Sequence, residues 1–178
     1  LVARGIERTV ASIVTQVLVD TEDPAFANPT KPIGPFYDEQ QAKTVRDENG
    51  WSVVKDANRG WRRVVPSPQP IEVVEWPAIK ALVDAGILAI SVGGGGVPVA
   101  RDKDGFLFGV DAVIDKDRAS DLLGRLIEAD VLVIITQVEK VYAAFGTPQQ
   151  EALDVLPADR AARMLANGEF PAGSMGPK

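Results

Sequence analysis

The chain has 178 residues, and its 19 basic and 25 acidic side chains give a formal net charge of −6. This balance argues against a broadly basic surface of the kind that binds nucleic acid, and the apolar runs are far too short to span a bilayer. The chain contains neither Cys nor His, which excludes disulfides, thiol nucleophiles and a Ser-His-Asp triad and argues against a typical zinc site.

The first part of the chain predicts a short α/β segment followed by a small inserted subdomain. We predict a helix over residues 1–13, a strand over 15–19, an irregular loop over 23–35, a helix over 37–48, and a hairpin with strands at 51–55 and 61–65. The proline-rich residues 66–70 fit neither a helix nor a central strand. Residues 20–70 are therefore expected to protrude as a subdomain from a partial α/β domain made of residues 1–19 and 71–178.

From residue 71 onward, helices alternate with apolar strands. The predicted elements are a helix over 76–85, a strand over 87–92, a glycine loop at 93–96, a hairpin within 97–113, a helix over 115–129, a strand over 130–136 and a helix over 157–167. This alternation predicts an α/β sandwich with a largely parallel sheet.

Four consecutive glycines, Gly93, Gly94, Gly95 and Gly96, follow a predicted strand. Ligands of open α/β sheets bind beyond the carboxyl ends of the strands, and glycines let several backbone N–H groups turn toward one anionic oxygen. The loop therefore indicates a phosphate or carboxylate site. The alternative is a tight turn that binds no ligand.

The predicted helix over 115–129 begins with Asp115-Lys116-Asp117. Asp115 is a suitable N-cap, and Asp117 suits the positive end of the helix, whereas the helix dipole opposes a cation such as Lys116. A residue that breaks the local rule invites a functional explanation: Lys116 could face a phosphate at the helix end, with Asp117 aligning its ammonium. The alternative is an exposed lysine that the two acids neutralise.

Two further residues carry less signal by themselves. Tyr142 follows the predicted strand over 130–136 and could pack on a nucleobase, or it could be an ordinary core aromatic. Lys31 lies in a proline-rich loop, where spacing alone predicts a solvent-exposed lysine. Phosphoryl transfer fits the available lysines, carboxylates, hydroxyls and backbone groups, because it relies on positioning and charge stabilisation. The residues by themselves thus predict an anion-binding α/β domain.

Six regions, in order along the chain, resemble those of carbamate kinases, which have the amino-acid-kinase fold. They are TQVLVD at 15–20, DPAF and PTKPIGPFY within 23–37, GWRRVVPSP at 60–68, GGGGVP at 93–98, IDKD at 114–117 and GSMGPK at 173–178. Their order and the long string at 29–37 make the resemblance specific, and it covers nearly the whole chain. It implies a three-layer α/β sandwich with a largely parallel central sheet and a small protruding subdomain that closes over the substrate.

The resemblance implies a role for each candidate residue. Lys116 and Lys178 look like the two lysines that neutralise the transferring phosphoryl group and the nucleotide phosphates, and Asp117 looks like the acid that organises them. Lys31 looks like the lysine that the 20–70 subdomain delivers to the substrate. The other implied contacts are Gly93, Gly94, Gly95 and Gly96 beside the small substrate or its phosphate, and Tyr142, Ser174, Met175 and Gly176 near the adenine nucleotide.

The activity that the resemblance implies is reversible phosphoryl transfer between ATP and carbamate, giving ADP and carbamoyl phosphate. Mg²⁺ would bridge the ATP phosphates, as is usual for phosphoryl transfer; we predict no metal ligands among the protein side chains. The resemblance also implies a homodimer joined through the central sheets and a place in arginine breakdown. Charges at Arg4, Glu7 and Arg8 interrupt the first apolar residues, which is unlike a signal peptide. We therefore expect a cytoplasmic protein.

Several features of carbamate kinases have no counterpart in the sequence. The opening strand with its Gly-Gly-Asn-Ala motif, a second glycine-rich segment and the stretch after Lys178 are missing, and Gln137 stands where relatives often carry an acidic residue. We expect both ends to be cuts in a longer sequence and the isolated chain to be inactive.

Two alternatives remain for the function. One is another kinase of the same fold, acting on an amino-acid carboxylate or a nucleoside monophosphate; the string at 29–37 and the inserted hairpin argue against it. The other is a non-catalytic binding module of the same fold. The presence of Lys31, Lys116, Asp117 and Lys178 together argues against that alternative.

Overall fold

The computed structural model describes residues 2–56, 59–170 and 175–178, and the chain divides into two compact units, Leu1–Leu132 and Val133–Lys178. The helices are α1 (Pro24–Ala27), α2 (Glu39–Asn49), α3 (Trp76–Asp84), α4 (Lys116–Leu126) and α5 (Ala158–Ala166), and a short 3-10 turn covers Val2–Arg4. The strands are β1 (Val10–Ser12), β2 (Gln16–Leu18), β3 (Lys31–Tyr37), β4 (Val53–Asp56), β5 (Gly60–Val65), β6 (Glu72–Val73), β7 (Leu88–Ile90), β8 (Val97–Arg101), β9 (Leu107–Gly109), β10 (Val141–Ala143) and β11 (Glu151–Leu153). The predicted α/β class is confirmed.

Two parallel pairings organise the first unit. β1 pairs with β7, and β2 pairs with β8 inside a four-stranded sheet of order β6-β2-β8-β9, whose other two pairings are antiparallel. The described sheets are therefore mixed. The buried core of this unit joins strands β2 and β6 to helices α3 and α4 and consists of Val17, Val19, Val73, Ile79, Val92, Ile114, Ala119 and Leu123.

A separate antiparallel sheet of order β3-β5-β4 carries the predicted hairpin, β4 with β5, which is confirmed. The irregular loop predicted over 23–35 is wrong in part, because it contains α1 and the start of β3. Pro32 and Pro35 fit β3 because it is an edge strand, where a missing amide is tolerated. The division of the chain at residues 20 and 70 stays a prediction.

Most of the other predicted elements are confirmed. These are the strand over 15–19 as β2, the helix over 37–48 as α2, the helix over 76–85 as α3, the hairpin within 97–113 as β8 and β9, the helix over 115–129 as α4, and the helix over 157–167 as α5. The strand over 87–92 is present as β7, but it is short, and its side chains are not buried. No helix in the described part of the chain is both long and apolar enough to cross a membrane.

The helix predicted over residues 1–13 is wrong. Gly5 adopts a left-handed φ of 68°, which ends the initial turn because a right-handed helix needs negative φ. The chain then extends and places Val10–Ser12 beside β7 in a parallel pair. Pairing with a distant strand thus overrides the helical spacing of the apolar residues.

The buried strand predicted over 130–136 is also wrong. Within the described residues this segment joins no sheet, and Ile135 is 92% exposed. A run of Val, Leu and Ile forms a strand only when a neighbouring strand supplies backbone hydrogen bonds and a covered face. Composition alone therefore gave the wrong secondary structure here.

The second unit contains the antiparallel pair β10–β11 and helix α5. The pair was not predicted from the sequence. An ion pair between Lys140 and Asp154, residues just outside the two strands, accompanies it. The ring of Tyr142, on β10, lies 5.8 Å from the ring of Phe145.

Candidate active site

The first turn of α4 is closed by Asp115, which is the N-cap as predicted. Its Oδ1 accepts hydrogen bonds from the backbone amides of Asp117, at 3.0 Å, and Arg118, at 3.4 Å. A short acidic side chain satisfies amides that have no partner within the helix. The carboxylate is buried, so its second oxygen also needs a partner.

That partner is Lys31, from the opposite end of the first unit's sequence. Its Nζ donates to Oδ2 of Asp115 at 2.6 Å, which ties strand β3 to the start of α4. The side chain of Lys31 is only 30% exposed, so the solvent-exposed lysine that spacing predicted is wrong. Sequence reasoning missed this pair because the two residues are 84 positions apart and no local pattern links them.

The carboxyl of Asp115 is strongly biased toward its charged form. Burial by itself raises its pKa, but the hydrogen bond and positive charge of Lys31 lower it, as do the amides of Asp117 and Arg118. The lowering effects prevail, and the pKa lies below its ordinary value of 3.8. Asp115 is therefore an anion at neutral pH and holds the Lys31 ammonium beside the helix end.

Lys116 and Asp117 lie side by side at the same helix end. The Nζ of Lys116 is 3.4 Å from Oδ2 of Asp117, and the alignment of the ammonium by Asp117 stays a prediction. Asp117 is buried, whereas the side chain of Lys116 is 60% exposed. An accessible ammonium beside the positive end of a helix favours the approach of an anion.

The glycine loop has two halves with different constraints. Gly95 and Gly96 have φ values of 134° and 86°. A Cβ on Gly95 would collide with the carbonyl oxygen of Ile114, and one on Gly96 with the side chain of Val17. At Gly93 and Gly94, by contrast, a Cβ would meet no atom of the described residues within 4 Å. Packing therefore explains why positions 95 and 96 are glycine, and it gives no such reason for Gly93 and Gly94.

The backbone amides of the loop also fall into two groups, but the grouping differs from that of the Cβ positions. Gly93 donates to the carbonyl of Ser91 and Gly95 to that of Val92, each at 2.6 Å. Within the part of the chain that the structure describes, the amides of Gly94 and Gly96 have no backbone acceptor. At most two of the four glycine amides are therefore left for an anion at this loop.

The contact between Gly95 and Ile114 brings the two predicted anion sites together. Ile114 immediately precedes Asp115, so the glycine loop packs against the chain that enters α4. These sites are about twenty positions apart in sequence, and a sequence pattern gives no reason for them to touch. In the folded chain, the glycine loop, the start of α4 and the Lys31–Asp115 pair are therefore neighbours.

A cavity of about 420 Å³ lies where β1 and β7 end. Residues of both strand ends and of the loop line it, among them Ser12, Ser91, Gly93 and Gly94. Hydroxyls and glycine backbone at the carboxyl ends of parallel strands are suitable groups for a small polar ligand. The glycine loop therefore borders a space large enough for such a ligand.

The second unit has its own pocket of about 210 Å³. Tyr142, Phe145, Phe170, Met175 and Lys178 are among the residues that line it. Aromatic faces can stack on a base, and a lysine can bind its phosphates. Tyr142, Met175 and Lys178, which the resemblance assigned to the nucleotide, thus lie in the wall of one pocket.

Other predicted contacts are less completely described. Gly176 is in a turn and is not part of the wall of this pocket, and Ser174 lies outside the described residues. Lys116 belongs to the first unit and Lys178 to the second, so their convergence on one phosphoryl group stays a prediction. No group of three or more Asp or Glu side chains arranged to hold a metal ion occurs among the described residues.

An α/β fold in which a glycine loop packs against the start of a helix that carries Lys116 and pairs with Lys31 is suited to binding phosphorylated substrates. The sequence profile of the amino acid kinase family matches residues 6–178, and the chain belongs to this family.

Several relatives are carbamate kinases. The chain is 51% identical to the carbamate kinase of Thermococcus kodakarensis over 175 residues, which are 98% of the chain and 55% of that protein. It is 52% identical to a carbamate kinase-like protein of Escherichia coli over 99% of the chain and 56% of that protein. A solved carbamate kinase of Giardia lamblia bound to AMP-PNP superimposes with a TM-score of 0.86, at 43% identity over 99% of the chain and 56% of that structure. The chain thus spans about half the length of the curated relatives it matches.

Proposed function

We propose that the protein to which this chain belongs is a carbamate kinase, which transfers a phosphoryl group reversibly between ATP and carbamate. The observation that carries this proposal is the contact of Lys31 with Asp115, at 2.6 Å. It brings the lysine of the proposed lid, residues 20–70, to the helix end that carries Lys116. The similarity to carbamate kinases from archaea and from Giardia supports the choice of substrate.

The proposed chemistry is electrostatic. An oxygen of carbamate attacks the γ-phosphorus, the new P–O bond forms in line, and the bond to the β-phosphate oxygen breaks, so that ADP leaves with that oxygen. Lys116, aligned by Asp117, would offset the charge on the transferring group, and the amides of Gly94 and Gly96 would hold an oxygen of the small substrate. A cation already in place needs no reorganisation during the reaction, which is why Lys116 would lower the barrier.

The nucleotide would bind in the pocket of the second unit, with the base against Tyr142 and the phosphates near Lys178. The Giardia relative was solved with AMP-PNP, an analogue of ATP. A Mg²⁺ ion would arrive on the ATP phosphates, as is usual for phosphoryl transfer. In that position the ion would neutralise phosphate charge.

Other parts of the proposal depend on family likeness alone. They are a cytoplasmic location, a homodimer and a role in arginine breakdown. A second candidate function is phosphoryl transfer to another acceptor. It is kept because two Escherichia coli relatives named only as carbamate kinase-like are as similar to this chain, at 51% and 52% identity, as the named carbamate kinases are.

The test is a coupled assay of ATP formation from ADP and carbamoyl phosphate with the full-length protein. We expect ATP to form with carbamoyl phosphate and not with acetyl phosphate, acetylglutamyl phosphate or UDP as the phosphoryl donor. Activity with one of those donors in place of carbamoyl phosphate would favour the second candidate. No activity with any of them would support a non-catalytic module. The chain of residues 1–178 is expected to be inactive in the same assay.

A further inference from the structure

Thr15 is a buried residue whose side chain reaches the start of the glycine loop. It is 4% exposed, and its Oγ1 donates to the carbonyl of Ile13 at 3.1 Å and accepts from the amide of Val92 at 2.9 Å. A threonine hydroxyl has one proton to donate and lone pairs to accept with, so both contacts form at once. The bond to Val92 joins segments 77 positions apart in the sequence.

Val92 has an unusual backbone conformation. Its φ is 51°, in the left-handed region that β-branched residues avoid, because their side chains crowd the backbone there. Such a conformation persists only where the surrounding structure holds it. The hydroxyl of Thr15 bonds the amide of Val92 itself, and the next residue is Gly93.

The main chain of Thr15 holds the other end of the same loop. Its carbonyl oxygen accepts the amide of Val97 at 2.8 Å, and it lies 3.1 Å from the position that a Cβ on Gly96 would take. One residue therefore contacts the loop immediately before Gly93 and immediately after Gly96. Thr15 also lines the cavity that the loop borders.

We propose that Thr15 is a positioning residue for the substrate-binding loop. Its hydroxyl keeps Val92 in the left-handed conformation, and this fixes the direction in which the amide of Gly94 points. The inference rests on the proposed function, because it assigns to the loop the small anionic substrate of that reaction. Thr15 acts through the loop and takes no part in the transfer itself.

Three substitutions separate the hydroxyl from the volume of the side chain. Thr15→Val removes the hydroxyl at nearly the same size, and Thr15→Ser keeps it. Thr44→Val is the matched control, since the hydroxyl of Thr44 also bonds a backbone carbonyl, that of Gln40 at 3.1 Å, but on the exposed helix α2. KM for carbamoyl phosphate and kcat are measured for each variant in the full-length protein, together with hydrogen exchange at Val92.

Loss of a buried hydrogen bond of this kind predicts an about tenfold rise in KM for Thr15→Val. We expect kcat to change little, because the loop binds ground state and transition state alike. Thr15→Ser and Thr44→Val should keep the KM of the wild type. The Val92 amide should exchange faster in Thr15→Val than in Thr15→Ser.

An unchanged KM in a folded Thr15→Val would overturn the proposal, as would a Thr15→Ser that is equally impaired. If Thr15→Val does not fold, exchange in the wild-type protein decides, since a Val92 amide that exchanges as fast as that of Gly94 contradicts the proposal. If the wild-type protein does not use carbamoyl phosphate, the proposed function fails, and the exchange comparison still tests whether Thr15 holds the loop.

Discussion

The ammonium of Lys31 lies 2.6 Å from Oδ2 of Asp115, while Oδ1 of the same carboxylate caps helix α4. One buried carboxylate thus stabilises the helix end and holds the lysine of strand β3 beside it. Because the ion pair with Lys31 requires the charged carboxylate, it links the stability of the first unit to pH.

Replacing Asp115 with Asn should preserve the cap, since an amide oxygen also accepts backbone N–H groups, but remove the negative charge opposite Lys31. We expect the free energy of unfolding at pH 7 to fall by about 1.5–2 kcal/mol, the lower part of the range for hydrogen bonds to charged groups. The pKa of Asp115 is lowered in the folded state. Its stabilising contribution is therefore full above the ordinary pKa of 3.8 and is lost as pH falls through the lower, folded value.

Urea unfolding between pH 7 and pH 3 measures this effect. The difference between wild type and Asp115→Asn should be largest at pH 7 and shrink at the acidic end. The control is Asp84→Asn, which breaks an exposed pair with Lys80 on α3 and should cost no more than about 0.5 kcal/mol. Equal losses for the two variants would contradict the role given to Asp115.

Lys116→Ala and Lys178→Ala should each lower turnover of the full-length protein by about 10²–10³, the usual effect of removing one preorganised charge-stabilising group. Rates at saturating substrate isolate this effect from binding. Lys103→Ala, in the exposed turn between β8 and β9, is the matched control and should leave turnover unchanged. A near-wild-type rate for either active-site variant would refute its assignment.

Substitutions at two neighbouring glycines should affect different properties, the stability of the protein in one case and the binding of carbamoyl phosphate in the other. Gly95→Ala should destabilise the protein by about 1–3 kcal/mol, because its Cβ would meet the carbonyl of Ile114 and its φ is 134°. Gly94→Ala has space for its Cβ and should change stability by less than about 0.5 kcal/mol. It should instead raise KM for carbamoyl phosphate about tenfold, equivalent to ~1.4 kcal/mol.

Thermal unfolding and steady-state kinetics on both variants test this contrast. Gly94→Ala is the informative member, because no packing argument predicts a defect there. A variant that binds carbamoyl phosphate as tightly as wild type would show that the loop is only a turn.

Tyr142→Ala should raise KM for ADP about tenfold while leaving KM for carbamoyl phosphate unchanged, because stacking on a base contributes about 1–3 kcal/mol. The selective effect on one substrate distinguishes base stacking from general loss of structure. Phe106→Ala removes an aromatic that is 72% exposed and serves as the control. Equal rises in both KM values for Tyr142→Ala would indicate a structural role.

Local patterns predicted the local parts of this structure. The acidic N-cap of α4 and the hairpin of β4 and β5 each depend on neighbours in sequence, and each is present. The Lys31–Asp115 pair and the support of Val92 by Thr15 depend on residues 84 and 77 positions apart. Only the fold brings such residues together, so residue spacing could not predict either contact.

The two wrong elements have the same origin. Residues 1–13 have apolar residues at helical spacing, yet Val10–Ser12 form a strand that pairs with β7. Residues 130–136 have the composition of a buried strand, yet within the described structure no neighbour pairs with them. In both places the conformation depends on whether a strand from elsewhere in the described chain pairs with the segment, and the local sequence does not contain that information.

The close approach of Gly95 to the carbonyl of Ile114 limits how the sequence can vary in length. A residue inserted at 93–96 could not bulge out on the side that faces Ile114. An insertion or a deletion there would displace the first turn of α4 and its lysine. In the exposed turn at 102–105, a Cβ on Gly105 would meet no described atom within 4 Å. Natural length variation among related proteins should therefore concentrate there and spare the glycine run.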